Sequence, residues 1–88
     1  MDILLYGTDY CSLCEQAEAV IHEAMVGRRY RIVSVDISVT EAMLESYGLR
    51  IPVIGLEHGS GVELDWPFDS VQLLAFIEAQ QEKQHGRI

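Results

Sequence analysis

The chain is short of cysteine, of basic residues and of long apolar runs, and each shortage narrows what it can be. Two cysteines in 88 residues cannot supply the dense disulfide framework on which small secreted domains rely. A chain of this length has to build a modest core of its own, as one small domain. Lys and Arg number 6 against 14 Asp and Glu, a formal net charge of −8. Nucleic acids and anionic membrane surfaces are held by clustered Lys and Arg, so neither is expected as a partner. Apolar residues make up 49% of the chain, but in runs of a few residues, too short for a membrane span. The opening Met1-Asp2-Ile3-Leu4-Leu5-Tyr6 lacks a basic region and a small-residue cleavage site, so it is not read as a signal peptide. The expected compartment is the reducing cytoplasm, where a lone dithiol cycles between its redox states.

What the chain does have is one pair of cysteines, Cys11 and Cys14, separated by Ser12 and Leu13. A Cys-x-x-Cys that follows an apolar strand and opens a helix reads as a redox motif. The competing reading is half of a zinc site, but a tetrahedral site needs four ligands. No second Cys-x-x-Cys and no closely spaced His pair follows, so no metal is expected.

Hydrophobic spacing gives the elements. Ile3 to Tyr6 is a short apolar run ahead of Gly7-Thr8-Asp9 and reads as a buried strand entering a turn. From Cys11 the spacing is helical: Cys14, Ala17, Ile21, Ala24 and Met25 share one face, with Glu15, Glu18, His22 and Glu23 opposite. Ser12 with Glu15 matches a capping box, with Cys11 as the other candidate cap, and Gly27 closes the helix. Tyr30 to Val35 is rich in β-branched residues and reads as a second strand, parallel to the first. Ser38-Val39-Thr40-Glu41 is a further capping box, opening a short helix that stops at Gly48. Ile51-Pro52-Val53-Ile54 starts a third strand, Glu57 to Gly61 forms a hairpin turn, and Val62 to Trp66 alternates as a fourth strand. Asp69 with Gln72 caps a last helix. One domain over 1–79 and a polar C-terminal tail over 80–88 are expected.

The order β-α-β-α-β-β-α, with the dithiol at the first strand-to-helix junction and a proline opening strand three, resembles the thioredoxin fold. Within that fold the chain is similar to the glutaredoxins and to the small bacterial glutaredoxin-like proteins. Three patches carry the resemblance: Tyr10-Cys11-Ser12-Leu13-Cys14, Ile51-Pro52-Val53 and Trp66-Pro67-Phe68-Asp69. It implies an α/β architecture, a four-stranded mixed sheet flanked by three helices.

Thiol–disulfide exchange needs a thiolate to attack and a second thiol to resolve the mixed disulfide. Cys11, at a helix N-terminus, faces unpaired backbone N–H groups and the positive end of the helix dipole, so it is the expected nucleophile. Cys14, one turn in on the apolar face, is the expected resolving residue. The resemblance implies a cis peptide bond before Pro52, and a backbone at Val53 that pairs with an incoming peptide or glutathione as an added strand. Arg50 stands where glutaredoxins often have Thr, and a guanidinium there would favour the thiolate or grip a substrate carboxylate. Asp69 and Ser70 open the last helix, where glutaredoxins hold a glutathione carboxylate. Tyr10 is expected to line the entrance to the dithiol.

Two departures from glutaredoxins count against tight use of glutathione. Asp9 replaces a Lys common ahead of the first cysteine, and Pro67-Phe68 replaces a Gly-Gly. Trp66 with Phe68 is closer to the small redoxins that take electrons from thioredoxin reductase. The expected activity is that of a monomeric dithiol oxidoreductase with no tightly bound cofactor. Its expected partners are a disulfide-containing protein client or glutathione as co-substrate, with thioredoxin reductase as a further candidate donor. Two rival readings are an iron–sulfur or metal carrier through Cys11 and a low-turnover binding module on the same fold.

Overall fold

The structure, a computed structural model, describes residues 1–9, 11–56 and 62–85, with side chains described as far as 81. The elements run in the expected order. They are β1 (Asp2–Gly7), α1 (Ser12–Ala24), β2 (Arg31–Asp36), a 3-10 turn (Ile37–Val39), α2 (Glu41–Tyr47), β3 (Val53–Leu56), β4 (Glu63–Asp65) and α3 (Ser70–His85). The hairpin turn expected at Glu57 to Gly61 lies outside the described residues.

The sheet has strand order β2-β1-β3-β4. β1 and β2 run parallel, joined through α1, whereas β1–β3 and β3–β4 are antiparallel. This is the mixed four-stranded sheet that the resemblance implied. Strand alternation sends Ile3 and Leu5 of β1, with Ile54 of β3, to one face. There they meet Ala17, Ile21 and Met25 at the α1 end and Leu73 and Ile77 of α3 in a single buried cluster. Tyr6, one step along β1, points the other way, and its ring stacks on Tyr47 of α2 with centroids 4.5 Å apart. Two helices therefore cover one face and the short α2 the other.

The helix caps differ in part from those expected. The side chain of Cys11, not Ser12, caps α1, and the chain leaves that helix through Gly27 at φ 79°, a left-handed conformation that favours glycine. Thr40, not Ser38, caps α2, its hydroxyl accepting the Met43 N–H at 3.1 Å. Ser38 lies instead in the 3-10 turn, which Asp36 caps. At α3 the expected pair is present and reciprocal: the Gln72 backbone N–H donates to the Asp69 carboxylate at 2.7 Å and the Asp69 backbone N–H to the Gln72 side-chain oxygen Oε1 at 3.0 Å. The last helix does not end near residue 79 but continues to His85, and Gln80 is buried. The first part of the segment expected as a polar tail is thus helical, with Gln80 buried.

Candidate redox site

The site is set up by the way β1 hands the chain to α1. β1 ends at Gly7 against the core, and after a short loop Cys11 adopts an extended conformation (φ −98°, ψ 100°) that turns the backbone into the helix. Its carbonyl accepts the N–H groups of Cys14 and Glu15 at 3.2 and 3.3 Å. Its sulfur accepts the same Cys14 N–H at 3.2 Å. A sulfur in that position receives the hydrogen bond and the partial positive charge that stabilise a thiolate. Three residues on, Cys14 comes back over it with Cα atoms 5.2 Å apart, and the two sulfurs form a disulfide. Both residues are half-buried.

Gly7 makes room for the second sulfur. A Cβ placed on Gly7 would stand 2.6 Å from Cys14 Sγ, closer than side-chain packing allows. The glycine that the sequence offered only as the start of a turn is therefore a packing gap under Cys14.

The disulfide opens onto a cleft of about 330 Å³. Gly7, Thr8 and Asp9 line it on one side, Glu15 and Glu18 of α1 on another, and Ser34 to Asp36 of β2 complete the wall. Its ionisable lining is acidic throughout: Asp9, Glu15, Glu18 and Asp36. Asp36 is fixed in place by the Ser38 hydroxyl at 2.6 Å and the Ser38 N–H at 2.9 Å. Those two hydrogen bonds, the hydroxyl first, hold its carboxyl below the usual carboxylate range. Glu15 and Glu18 read from periodicity as a solvated helix face, and only the position of β2 shows that they also wall a cleft.

Among the described residues, the other expected contact residues do not line this cleft. Arg50 is engaged elsewhere: its guanidinium makes a bidentate pair with Asp65 at 3.0 and 2.8 Å and also reaches Glu63 at 2.9 Å. Glu63 accepts the Tyr47 hydroxyl at 2.5 Å, and the guanidinium lies 5.1 Å over the Tyr47 ring. The expected cation beside the sulfur is thus a tie between the end of α2 and β4. Val53 is fully buried in an inner strand, with Tyr6 as its partner on one side and Asp65 on the other. The backbone of Val53 thus has strand neighbours on both sides within the sheet. Pro52 is buried behind a cis peptide bond, and its carbonyl accepts the Trp66 N–H at 3.1 Å. Asp69 is occupied as the cap of α3, with Ser70 the first helical residue behind it. Tyr10 lies outside the described residues.

A family model for the Glutaredoxin-like domain (DUF836) matches residues 2–78. The chain belongs to this glutaredoxin-like family. Its fold is similar to the X-ray structure of structural-genomics target protein XcR50 from X. campestris. That protein is 40% identical, with a TM-score of 0.75 over 88% of this chain and 96% of the other. The solution structure of the same target gives 40% identity and a TM-score of 0.74 over 90% and 95%. A malarial protein at 17% identity and TM-score 0.60, over 90% and 94%, shares the fold. No curated protein matches the chain. With the Cys11–Cys14 pair at disulfide distance, these findings make the glutaredoxin-like chain a redox protein of the thioredoxin fold.

The Arg50 tie in this glutaredoxin-like domain gives a prediction for pH dependence. The Arg50 hydrogen bonds hold the Asp65 carboxyl below its ordinary value of 3.8. A carboxyl with a depressed folded-state pKa contributes stability above its unfolded value, and that contribution is lost as pH falls through the folded value. Both side chains are more than a third exposed, so solvent screens the pair and the effect is small. Arg50→Gln is expected to lower Tm by a few degrees at pH 7, with the gap to wild type closing as pH falls below 3.8. Thermal melts at pH 7 and pH 3 check it. A loss that is the same at both pH values would show that the tie acts through packing alone.

Proposed function

We propose that this protein is a dithiol oxidoreductase that reduces protein or mixed disulfides, with Cys11 attacking and Cys14 resolving. The observation that carries the reading is the Cys11 sulfur at the cap of α1, receiving the Cys14 N–H while facing the cleft. In the reduced protein the Cys11 thiolate attacks one sulfur of the client disulfide. The Cys11–client S–S bond forms, the client's own S–S bond breaks, and the other client sulfur leaves as a thiolate that takes up a proton. Cys14, having lost its proton, then attacks Cys11, closing the intramolecular disulfide and releasing the second client thiol. Two electrons pass from the protein dithiol to the client. Turnover needs a thiol reductant to reopen the disulfide, and a compartment such as the cytoplasm that keeps such a pool reduced.

Selective alkylation tests the assignment. Helix-terminal placement lowers a cysteine pKa from ~8.5 toward the range of about 3.5–7.5, and the carboxylates of the cleft oppose part of that shift. Partial iodoacetamide labelling of the reduced protein, followed by mass mapping, is expected to find Cys11 modified first, with a reactivity midpoint below that of a free thiol. Preferential labelling of Cys14 would reverse the roles.

The electron donor follows from the charge around the sulfur. Glutathione carries two carboxylates and one ammonium, and here it would meet Asp9, Glu15, Glu18 and Asp36 while Arg50 is paired with carboxylates of the chain itself. Reduction of the oxidised protein by glutathione with glutathione reductase is expected to be slow and unsaturated at millimolar thiol. A protein reductant such as thioredoxin reductase is expected to act faster. Fast, saturable reduction by glutathione alone would place the chain with ordinary glutaredoxins.

A further inference from the structure

We propose that the cleft selects clients whose disulfide is flanked by Lys or Arg, so that the substrate class is a basic segment of a protein. This rests on the disulfide-reducing activity proposed above and adds the charge of what is reduced.

Three observations converge on it. First, the acidic residues are not scattered over the surface but share one cleft with the reactive disulfide. The four carboxylates line the same cleft of about 330 Å³ as the two sulfurs, and charges closer than the screening length of roughly 8–10 Å act on one another at physiological ionic strength. A group that enters the cleft to reach the sulfurs therefore meets a carboxylate-lined wall. Second, among the described residues no Lys or Arg lines the cleft. Of the described cations, Arg50 pairs with Asp65 and Glu63, Arg28 with Glu78, and Arg31 of β2 with Asp2. Within the lining itself only carboxylates carry charge, and the basic group recorded beside one of them is the His22 ring, 3.7 Å from Glu18 one turn along α1. Third, β2 supplies one wall of the cleft and is an outer strand of the sheet. The site therefore lies at the margin of the molecule, where an extended protein segment can reach it.

A single-sign cleft raises the encounter rate of an oppositely charged ligand and lowers that of a like-charged one, by ten- to a thousandfold in strongly focused cases. Here the carboxylates are exposed and the cleft is open, so the lower end of that range applies. The chemistry is unchanged: the client S–S bond is cleaved, the protein dithiol is oxidised, and a dithiol reductant reopens the Cys11–Cys14 disulfide.

The test uses the full chain, reduced beforehand with dithiothreitol and desalted. Three short peptides carry the same mixed disulfide flanked by Lys, by Gln or by Glu, and single-turnover rates are measured at low salt and at high salt. The Lys peptide is expected to react about tenfold faster than the Glu peptide at low salt, with the Gln peptide between them and the ratio collapsing toward one at high salt. In the double variant Glu15→Gln/Glu18→Gln the ratio is expected to fall several-fold. In Glu41→Gln/Glu45→Gln, which removes the same charge from α2, most of it should remain. Equal rates for the three peptides would overturn the inference while leaving the oxidoreductase intact. An equal fall of the ratio in the two double variants would assign the preference to net charge and overturn the role of the cleft. Failure to reduce even the Gln peptide would remove the activity itself, and the inference with it.

Discussion

Cys14→Ser is expected to accumulate a stable mixed disulfide between Cys11 and a client, whereas Cys11→Ser is expected to lose exchange down to the uncatalysed background. The asymmetry comes from the cap of α1. Only Cys11 has its sulfur where the helix N-terminus donates a hydrogen bond, from Cys14 N–H at 3.2 Å, and only a thiolate attacks a disulfide. Serine at 11 keeps the capping hydrogen bond, since its hydroxyl is a good N-cap, so the variant should fold. Its hydroxyl does not ionise near neutral pH and cannot attack. Serine at 14 keeps the nucleophile but removes the second sulfur, so the first mixed disulfide has no intramolecular exit. Incubating each variant with a disulfide-bearing client and resolving the products on non-reducing gels, with mass mapping, reads both outcomes. A trapped adduct with Cys11→Ser through Cys14 would interchange the roles.

The parts of this site that rest on local chain chemistry were legible in the sequence. The strand, the dithiol and the helix behind it follow from an apolar run, a turn and a 3.6-residue period, each contained within a dozen residues. So did the Asp69–Gln72 box, because a capping interaction spans three residues. The parts built by long-range pairing were not legible. Arg50 looked free because its partners Asp65 and Glu63 are 15 and 13 residues away, across a hairpin whose register the sequence does not specify. That β3 is flanked by β1 and β4 was not legible either, because nothing local to Val53 names its strand partners. Glu15 and Glu18 looked merely solvated, since helical periodicity separates wet from dry but does not say that β2 completes a cleft beside the wet side. Ser38 was read as the cap of α2, and the structure gives that role to Thr40. The intervening 3-10 turn decided between them, using Asp36 for its own cap.

Gly7 is where packing and redox chemistry meet. Gly7→Ala is expected to raise the reduction potential of the dithiol by tens of millivolts while changing the reduced protein little. The added Cβ would lie 2.6 Å from Cys14 Sγ and 3.5 Å from Cys14 Cβ, so only the sulfur is in severe conflict. In the dithiol state the Cys14 side chain is free to rotate about χ1 and take its sulfur away from the new methyl. In the disulfide state the sulfur is bonded to Cys11, so the clash has to be met by moving β1 or the first turn of α1. Overpacking of this kind costs about 1–3 kcal/mol. Charged to the oxidised form alone, and at about 30 mV per 1.4 kcal/mol for a two-electron couple, that is a rise of roughly 20–65 mV. Equilibration against dithiothreitol redox buffers, with the oxidised fraction read by mass after alkylation, measures the potential. Thermal melts of both redox forms supply the second readout, in which the oxidised variant should lose more stability than the reduced one. Gly55→Ala is the comparison, since its Cβ would meet the Tyr6 ring at 3.3 Å, on a part of the sheet with no contact to either sulfur. It should change the stability of both redox forms alike and leave the potential where it is. A potential unmoved by Gly7→Ala, with both forms equally destabilised, would reduce Gly7 to an ordinary strand end.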